Sequence, residues 1–359
     1  GDIAPDCTSS RSARRPTSST RSSCHVGNRT APPGRRTVVL ATMSTSEVKR
    51  VGFFGPFGTF TQQALLTQPD LSEVEHVAYR TVPDVLDAVE QGEVDVGVVP
   101  IENSIEGMVN FTQDALAFDH DLVIHREIVI DIEHCLLAKP GVSLADVTEI
   151  YSIPVATAQC HRYLREKLPD AEIRAAYSTA DAARLVSESD TAGCAALGPR
   201  VAATVYGLDV VAADIADHDG NQTRFVVVAR SGVPAPTGND KTALVIYQRA
   251  DEPGSLVSIL QEFTARRINL SNLTSRPTKA GGLGDYCFIV YAEAHVSDEL
   301  LADTMRALHA KQGGVKFLGS YPAADDQSGT VREHADSRWR EADDWVRDIQ
   351  DSISRRGAG

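Results

Sequence analysis

The side chains best able to do chemistry fall in two short strings, VVPIENS at residues 98–104 and NQTRF at residues 221–225, roughly 120 residues apart. Each joins an apolar, strand-like run to a cluster of hydrogen-bonding groups, and polar groups at the ends of buried strands are where α/β folds build ligand sites. Glu102 follows a run apolar enough to be buried on both faces, so its carboxylate needs partners, either in a loop network or on a substrate. Asn103 both donates and accepts, which suits it to substrate contact. Ser104 can contact a ligand or, with the residues up to Gly107, cap the next helix; capping is the stronger expectation. The Thr223 hydroxyl can both donate and accept a hydrogen bond. Arg224 either anchors a carboxylate or closes a salt bridge, and Phe225 packs behind Thr223.

A third string, GPFGTFT at 55–61, places Gly55 and Gly58 in a tight turn, with Thr59 or Thr61 able to cap the following helix. N–H groups at such a helix start suit an anionic ligand. Similar strand-to-helix turns lie at Ser152–Gln159, Ser178–Thr179 and Gly198–Arg200. Converging on one cleft, they would hold a dicarboxylate with few arginines.

The rest of the chain must position these groups. Its 359 residues and 42% hydrophobic content suffice for two or three domains. The net charge is −14; residues 1–42 carry +5, which leaves −19 on the remainder. An acidic body argues against nucleic acid as a partner. No run of 18 apolar residues is present to span a membrane. The six cysteines and ten histidines show no metal-ligand spacing, and reduced, mostly buried thiols are expected. Residues 1–48, rich in Ser, Thr, Arg and Pro, read as a disordered leader or upstream-translated segment.

From residue 49 to 231 strands alternate with helices. Buried strands are expected at Val51–Phe54, Val94–Val99, Glu149–Tyr151, Gly193–Leu197 and Phe225–Ala229, and helices at Thr61–Leu66, Val82–Gln91, Ala158–Lys167 and Ala180–Glu188. Short strand-to-helix loops imply a largely parallel sheet. Stretches at Val123–Ala138 and Val210–Val228 can carry the chain to a second lobe and back. After a Gly- and Pro-rich linker, residues 240–322 follow a βαββαβ order, which is ferredoxin-like. Residues 323–359 form a linker and an amphipathic helix, in which Trp339, Ala342, Val346, Ile349 and Ile353 share an apolar face expected to dock on the body or a partner subunit.

With GPFGTFTQQA, VPIENS, HCLL at 134–137 and NQTRF in this order, residues 51–322 resemble the prephenate dehydratases, the monofunctional bacterial type with a C-terminal ACT domain. The resemblance implies a bilobal, periplasmic-binding-protein-like catalytic domain followed by a regulatory ACT module. It implies conversion of prephenate to phenylpyruvate, water and carbon dioxide in phenylalanine biosynthesis, without metal or cofactor, in a cytoplasmic homodimer or homotetramer. Thr223, Asn103 and Glu102 become the candidate catalytic residues, and Thr59, Ser104, Ser152, Gln159, Arg224 and Phe225 the candidate substrate contacts. DEPGSLVSIL at 251–260 and LTSRPT at 273–278 are similar to the family's phenylalanine-binding motifs, which implicates Gly254, Ser255, Leu256, Thr274, Ser275, Arg276 and Pro277 in binding L-phenylalanine. Thr274 stands where the family usually has Glu, and Ile153 and Val155 where His and Gln are common. Arogenate dehydratase activity, or a non-catalytic bilobal amino acid sensor, remain the alternatives.

Overall fold

The computed structural model describes residues 48–248, 252–278, 285–324, 342 and 344–351. The first lobe opens with β1 (Arg50–Phe54), α1 (Phe60–Leu66), α2 (Pro69–Ser72), β2 (Glu75–Tyr79), α3 (Val82–Gln91), β3 (Val96–Asn103), β4 (Gly107–Met108) and α4 (Asn110–Asp114). A single π-helical turn, Ala115–Asp119, then leads into β5 (Val123–Asp131). α3 shows why such local sequences fold. Thr81 and Asp84 close a reciprocal capping box, Pro83 occupies its first turn, and Gly92 ends it in the left-handed region.

The second lobe contains β6 (Cys135–Ala138), β7 (Glu149–Ser152), α5 (Pro154–Gln159), α6 (His161–Lys167), β8 (Glu172–Ala175), α7 (Thr179–Glu188), β9 (Cys194–Gly198), α8 (Arg200–Tyr206) and β10 (Asp209–Ala212). The chain then returns to the first lobe as β11 (Gln222–Ala229). The sheets are ordered β2-β1-β3-β11-β5, with β4 on β3, and β10-β6-β9-β7-β8. Both are mixed, where a largely parallel sheet was expected. The βαβ units are parallel, whereas β5, β11, β6 and β10, the strands flanking the two crossovers, pair antiparallel. The crossovers are tied together, Ile132 N donating to Asn221 O at 2.7 Å and Ile215 N to His134 O at 3.0 Å. This is the expected bilobal, periplasmic-binding-protein-like arrangement. The helix expected over Ala158–Lys167 is two, α5 and α6, meeting at Cys160.

The small domain follows as β12 (Asp240–Tyr247), α9 (Ser255–Ala265), β13 (Leu270–Pro277), β14 (Tyr286–Ala292), α10 (Glu299–Lys311) and β15 (Gly314–Pro322), in the antiparallel order β13-β14-β12-β15. This is the ferredoxin-like order. Alternation along its strands gives the sheet two buried faces. Leu244, Ile246, Phe288 and Val290 pack under α9 and α10, while Ala243, Val245, Cys287, Ile289 and Tyr291 share a core with Ile124, Val226 and Val228 of the first lobe. Gly319 allows the close approach of β15 to β5: its φ is +136°, and a Cβ there would lie 2.4 Å from Ile124 O.

The described part of the C-terminal segment, 342 and 344–351, is helical, as expected. Val346 and Ile349 are 40% and 43% exposed, so this stripe is not buried against the body. Trp339, Ile353 and the leader lie outside the described residues. Cys135, Cys160, Cys194 and Cys287 are buried free thiols, as expected. No described helix is long and apolar enough to cross a membrane.

One buried charge cluster joins the first lobe to the small domain. Glu127 of β5, its side chain 2% exposed, accepts from Arg224 Nη1 and from Lys241 Nζ at 3.2 Å. Removing the carboxylate would take a buried partner from both cations, with Arg224 retaining Glu102. Glu127→Ala is therefore expected to destabilise the protein by about 3–5 kcal/mol, read as a lowered midpoint of urea unfolding; an unchanged midpoint would show that the cluster does not hold the domains.

Candidate active site

β3 and β11 run antiparallel with Thr223 opposite Asn103, and a register shift follows between Arg224 and Phe225. This register brings together the two strings that stand far apart in sequence. Asn103 Oδ1 accepts from the backbone N–H groups of Ile105 at 3.0 Å and Glu106 at 2.9 Å, which fixes the amide's orientation. Its Nδ2 therefore faces β11 and donates to Thr223 Oγ1 at 2.9 Å and Asn221 Oδ1 at 2.8 Å. The Thr223 hydroxyl accepts this bond and keeps its own proton to donate. A hydroxyl that accepts while donating is polarised into a stronger donor.

The network continues into the second lobe. Asn221 Nδ2 donates to Gln159 Oε1 at 3.2 Å, and the same oxygen accepts from His134 Nε2 at 2.8 Å. Gln159 Nε2 donates to Glu106 Oε1 at 3.2 Å, back in the first lobe. The proton thus sits on Nε2 of His134; its Nδ1 is buried without a partner among the described residues. Burial lowers the pKa of His134 below the ordinary histidine value, with the bond to Gln159 opposing, so the ring is neutral. The lobes also touch through Tyr206, whose hydroxyl donates to Phe57 O at 2.9 Å.

The other expected site residues divide. Gln222 N donates to Ser104 Oγ at 2.9 Å, and Ser104 N donates to Gln222 O at 2.9 Å, so Ser104 clasps the two strings together. It does not cap a helix: β4 intervenes, and α4 begins after Val109 without a side-chain cap. Thr59 caps α1, accepting from Gln62 N at 3.4 Å, and Ser178 caps α7. α5 and α8 have no side-chain cap. Ser152 is buried at the end of β7, its hydroxyl donating to Ile153 O at 3.1 Å. Ile153 packs on the second-lobe core, whereas Val155 is exposed. Phe225 is 2% exposed in the first-lobe core. Glu102 and Arg224 alternate to the other face from Asn103 and Thr223. There Arg224 Nε donates to Glu102 Oε2 at 3.2 Å and Nη1 to Glu127, so the salt-bridge alternative for Arg224 is the one seen.

A cavity of about 560 Å³, lined by Val96, His125, Arg126, Val227, Val233 and Pro322 among others, lies at the opposite end of β3, β5 and β11 from Thr223. A second, of about 270 Å³, lies in the small domain and is lined by Gly254, Ser255, Leu256, Ser275, Tyr286 and Phe288 among others. Gly254 precedes α9 with φ +91°, a left-handed turn that leaves its helix start uncapped by a side chain. The seven expected phenylalanine contacts separate here. Gly254, Ser255, Leu256 and Ser275 face the cavity. Thr274 and Arg276 alternate to the opposite face of β13, where Thr274 bonds Asn272 and Arg276 bonds Asp114, and the exposed Pro277 does not line it.

The model of the prephenate dehydratase family matches residues 51–233, and that of the ACT domain residues 242–310. The chain belongs to the prephenate dehydratase family. A prephenate dehydratase of Mycobacterium leprae (strain TN) is 41% identical over 294 residues, covering 79% of this chain and 90% of that protein. The crystal structure of an Arthrobacter aurescens prephenate dehydratase in complex with L-Phe is 39% identical with a TM-score of 0.78, covering 84% of this chain and 99% of that one. GqqA, a quorum-quenching acylase, is 27% identical with a TM-score of 0.70, covering 77% and 98%.

Asn221, Glu106 and His134, which join this network, were not expected as site residues from the sequence. Asn221 stands inside NQTRF, and its string was the available signal. His134 stands beside the apolar run Cys135–Ala138, a setting typical of a packing position, and Glu106 had no sequence signal. Two tests follow. Thr223→Ala is expected to lower kcat on the order of 10²–10³-fold or more, with Thr223→Ser falling less; equal turnover by Thr223→Ala would remove the hydroxyl from the chemistry. His134 and His125 both have folded-state pKa values lowered chiefly by burial. The unfolded chain then binds more protons, so stability should be complete above about pH 6.5 and decline as pH falls through it. His134→Gln, which keeps a donor and cannot titrate, should reduce that decline in Tm; an unaltered slope would show His134 uninvolved.

Proposed function

We propose that the protein converts prephenate to phenylpyruvate, water and carbon dioxide, with Thr223 donating to the departing ring hydroxyl and Asn103 orienting and polarising Thr223. The observation that carries this is the 2.9 Å bond from Asn103 Nδ2 to Thr223 Oγ1, which leaves the threonine proton free to point at substrate. Aromatisation supplies a large driving force, so a strong hydrogen bond at the leaving oxygen is sufficient help. Decarboxylation adds the opposite requirement: a cation gripping the departing carboxylate would stabilise the ground state and slow its loss. Arg224, held between Glu102 and Glu127, is withheld from that carboxylate. Glu102 then serves by holding Arg224, and Ser104 by clasping β3 to β11. Gln159 reaches the cleft from the second lobe, and Thr59 and Ser152 order the adjoining turns.

An acylase reaction like that of GqqA calls for an activated nucleophile. In the second lobe the Ser152 hydroxyl is turned to a carbonyl, and burial raises the Cys135 thiol and pushes Cys160 up to about 12. These features favour the dehydratase reading.

The small-domain cavity is read as a site for L-phenylalanine acting as a feedback inhibitor. The start of α9 at Gly254 offers N–H groups to the amino acid's carboxylate, Glu252 offers a carboxylate to its ammonium, and Leu256 and Phe288 wall the space for its ring. The division into a catalytic domain at 49–231, a regulatory domain at 240–322 and a C-terminal segment at 323–359 belongs to the same reading, as does a cytoplasmic homodimer or homotetramer.

The deciding experiment follows phenylpyruvate formation from prephenate by the full chain, with and without millimolar phenylalanine. Turnover that falls on adding phenylalanine is expected. Turnover indifferent to it would remove the effector assignment, and faster use of arogenate would change the substrate. Absence of either product would leave the sensor reading.

A further inference from the structure

We infer that Arg276 and Asp114 are positioning residues that transmit occupancy of the small-domain cavity to Asn103, and that Arg276 is not a ligand contact. This rests on the reading of that cavity as an effector site. β13 is an edge strand whose side chains alternate between two surfaces. Ser275 lines the cavity. Its neighbours Thr274 and Arg276, with Asn272, face the first lobe. Arg276 makes a bidentate pair with Asp114, Nε to Oδ1 at 2.7 Å and Nη2 to Oδ2 at 2.6 Å, the planar fork matched to a carboxylate. Asn272 Nδ2 donates to Met108 Sδ at 3.4 Å, and Thr274 Oγ1 donates to Asn272 Oδ1 at 3.1 Å.

Met108 and Asp114 belong to the segment that leaves the active site. β4 folds back on β3, with Met108 opposite Glu102 and Gly107 opposite Asn103, and α4 follows directly. The π-helical turn after Asp114 is gripped by the same domain. Tyr247 donates its hydroxyl to Ala117 O at 3.0 Å, and Lys316 Nζ donates to Leu116 O at 2.9 Å and His120 O at 2.6 Å. Tyr247 precedes Gln248, which lines the cavity and donates to Ser255 Oγ at 2.5 Å. On β13, and at the end of β12 where Gln248 follows Tyr247, one residue faces the cavity and its neighbour holds the segment that begins at Asn103. A ligand that shifts either strand must move that segment or break these bonds. Single π-helical turns are rare and frequently stand at functional sites, and this one joins the two regions that the relay connects.

The test measures L-phenylalanine binding by calorimetry and inhibition of prephenate turnover, in the wild type, Asp114→Asn, Arg276→Met and the double variant. In the wild type the coupling should be about 5- to 150-fold. In Asp114→Asn it should fall below about 2-fold while phenylalanine still binds with wild-type affinity, and the double variant should respond no less than the single ones. Two results would overturn the inference: inhibition intact in Asp114→Asn, or phenylalanine affinity lost in Arg276→Met, which would make the guanidinium a ligand contact. A wild type that binds no phenylalanine would instead fail the effector reading itself. Asp114→Asn keeps the side chain's shape, so it decides the matter if Arg276→Met does not fold.

Discussion

The antiparallel pairing of β3 with β11 is the constraint on which the site depends. It closes a loop of more than a hundred residues, within which the whole second lobe is inserted. Side chains alternate with period two, so a slip of one residue would put Glu102 and Arg224 where Asn103 and Thr223 now stand, and turn the amide and hydroxyl toward Glu127 on the other face. Several features fix the register independently. The Val98–Ile101 run and the Phe225–Ala229 run bury against common cores, Ser104 clasps Gln222 in both directions, and the Arg224–Glu102 pair locks the opposite face. The bulge after Arg224 lies between the Asn103–Thr223 pair and the apolar run, separating a polar strand end from a packed one.

That pairing also explains how the lobes communicate. The two crossovers lie side by side, and polar groups on and beside them satisfy one another. Gln159 does this by accepting from His134 on one crossover and from Asn221 on the other, and Asn221 hands the bond on to Asn103. Orientation in this relay originates at the backbone N–H groups of Ile105 and Glu106. Because those two donors hold Asn103 Oδ1, each amide further along has one permissible orientation, ending with a proton on His134 Nε2. A neutral, buried imidazole completes the relay without introducing a charge beside Thr223.

Much of this was legible in the sequence, because strong local patterns coincide with burial. The apolar runs became β1, β3, β9 and β11, and Val82–Gln91 became a helix with the same ends, since Thr81, Pro83 and Gly92 punctuate it. Asn103 was recognisable because an uncharged polar group follows an apolar run, whereas Thr223, just before the run Phe225–Ala229, drew its role from the resemblance that NQTRF carries. What stayed hidden required long-range register. Whether Arg224 meets a substrate or Glu127 depends on β5 lying beside β11, which no local pattern states. Antiparallel pairing at the crossovers, likewise, follows from where the chain leaves and re-enters the first lobe. The tail's apolar spacing forecast a helix correctly, but periodicity says only that a face exists, not what covers it.

The same alternation separates two surfaces within the six residues of LTSRPT. A motif taken as one binding unit is divided by the pleat: Ser275 stands on the cavity side, Thr274 and Arg276 on the side of the first lobe. Residue 274 is therefore placed to influence the fit between domains, and a change there from the acid usual in the family bears first on that contact. Here Thr274 bonds Asn272, which in turn reaches Met108. An acid at this position would stand on the face that presents Arg276 and would compete with Asp114 for its guanidinium. With threonine in place, the guanidinium is left to Asp114 in a bidentate pair, and the small domain grips the active-site segment directly.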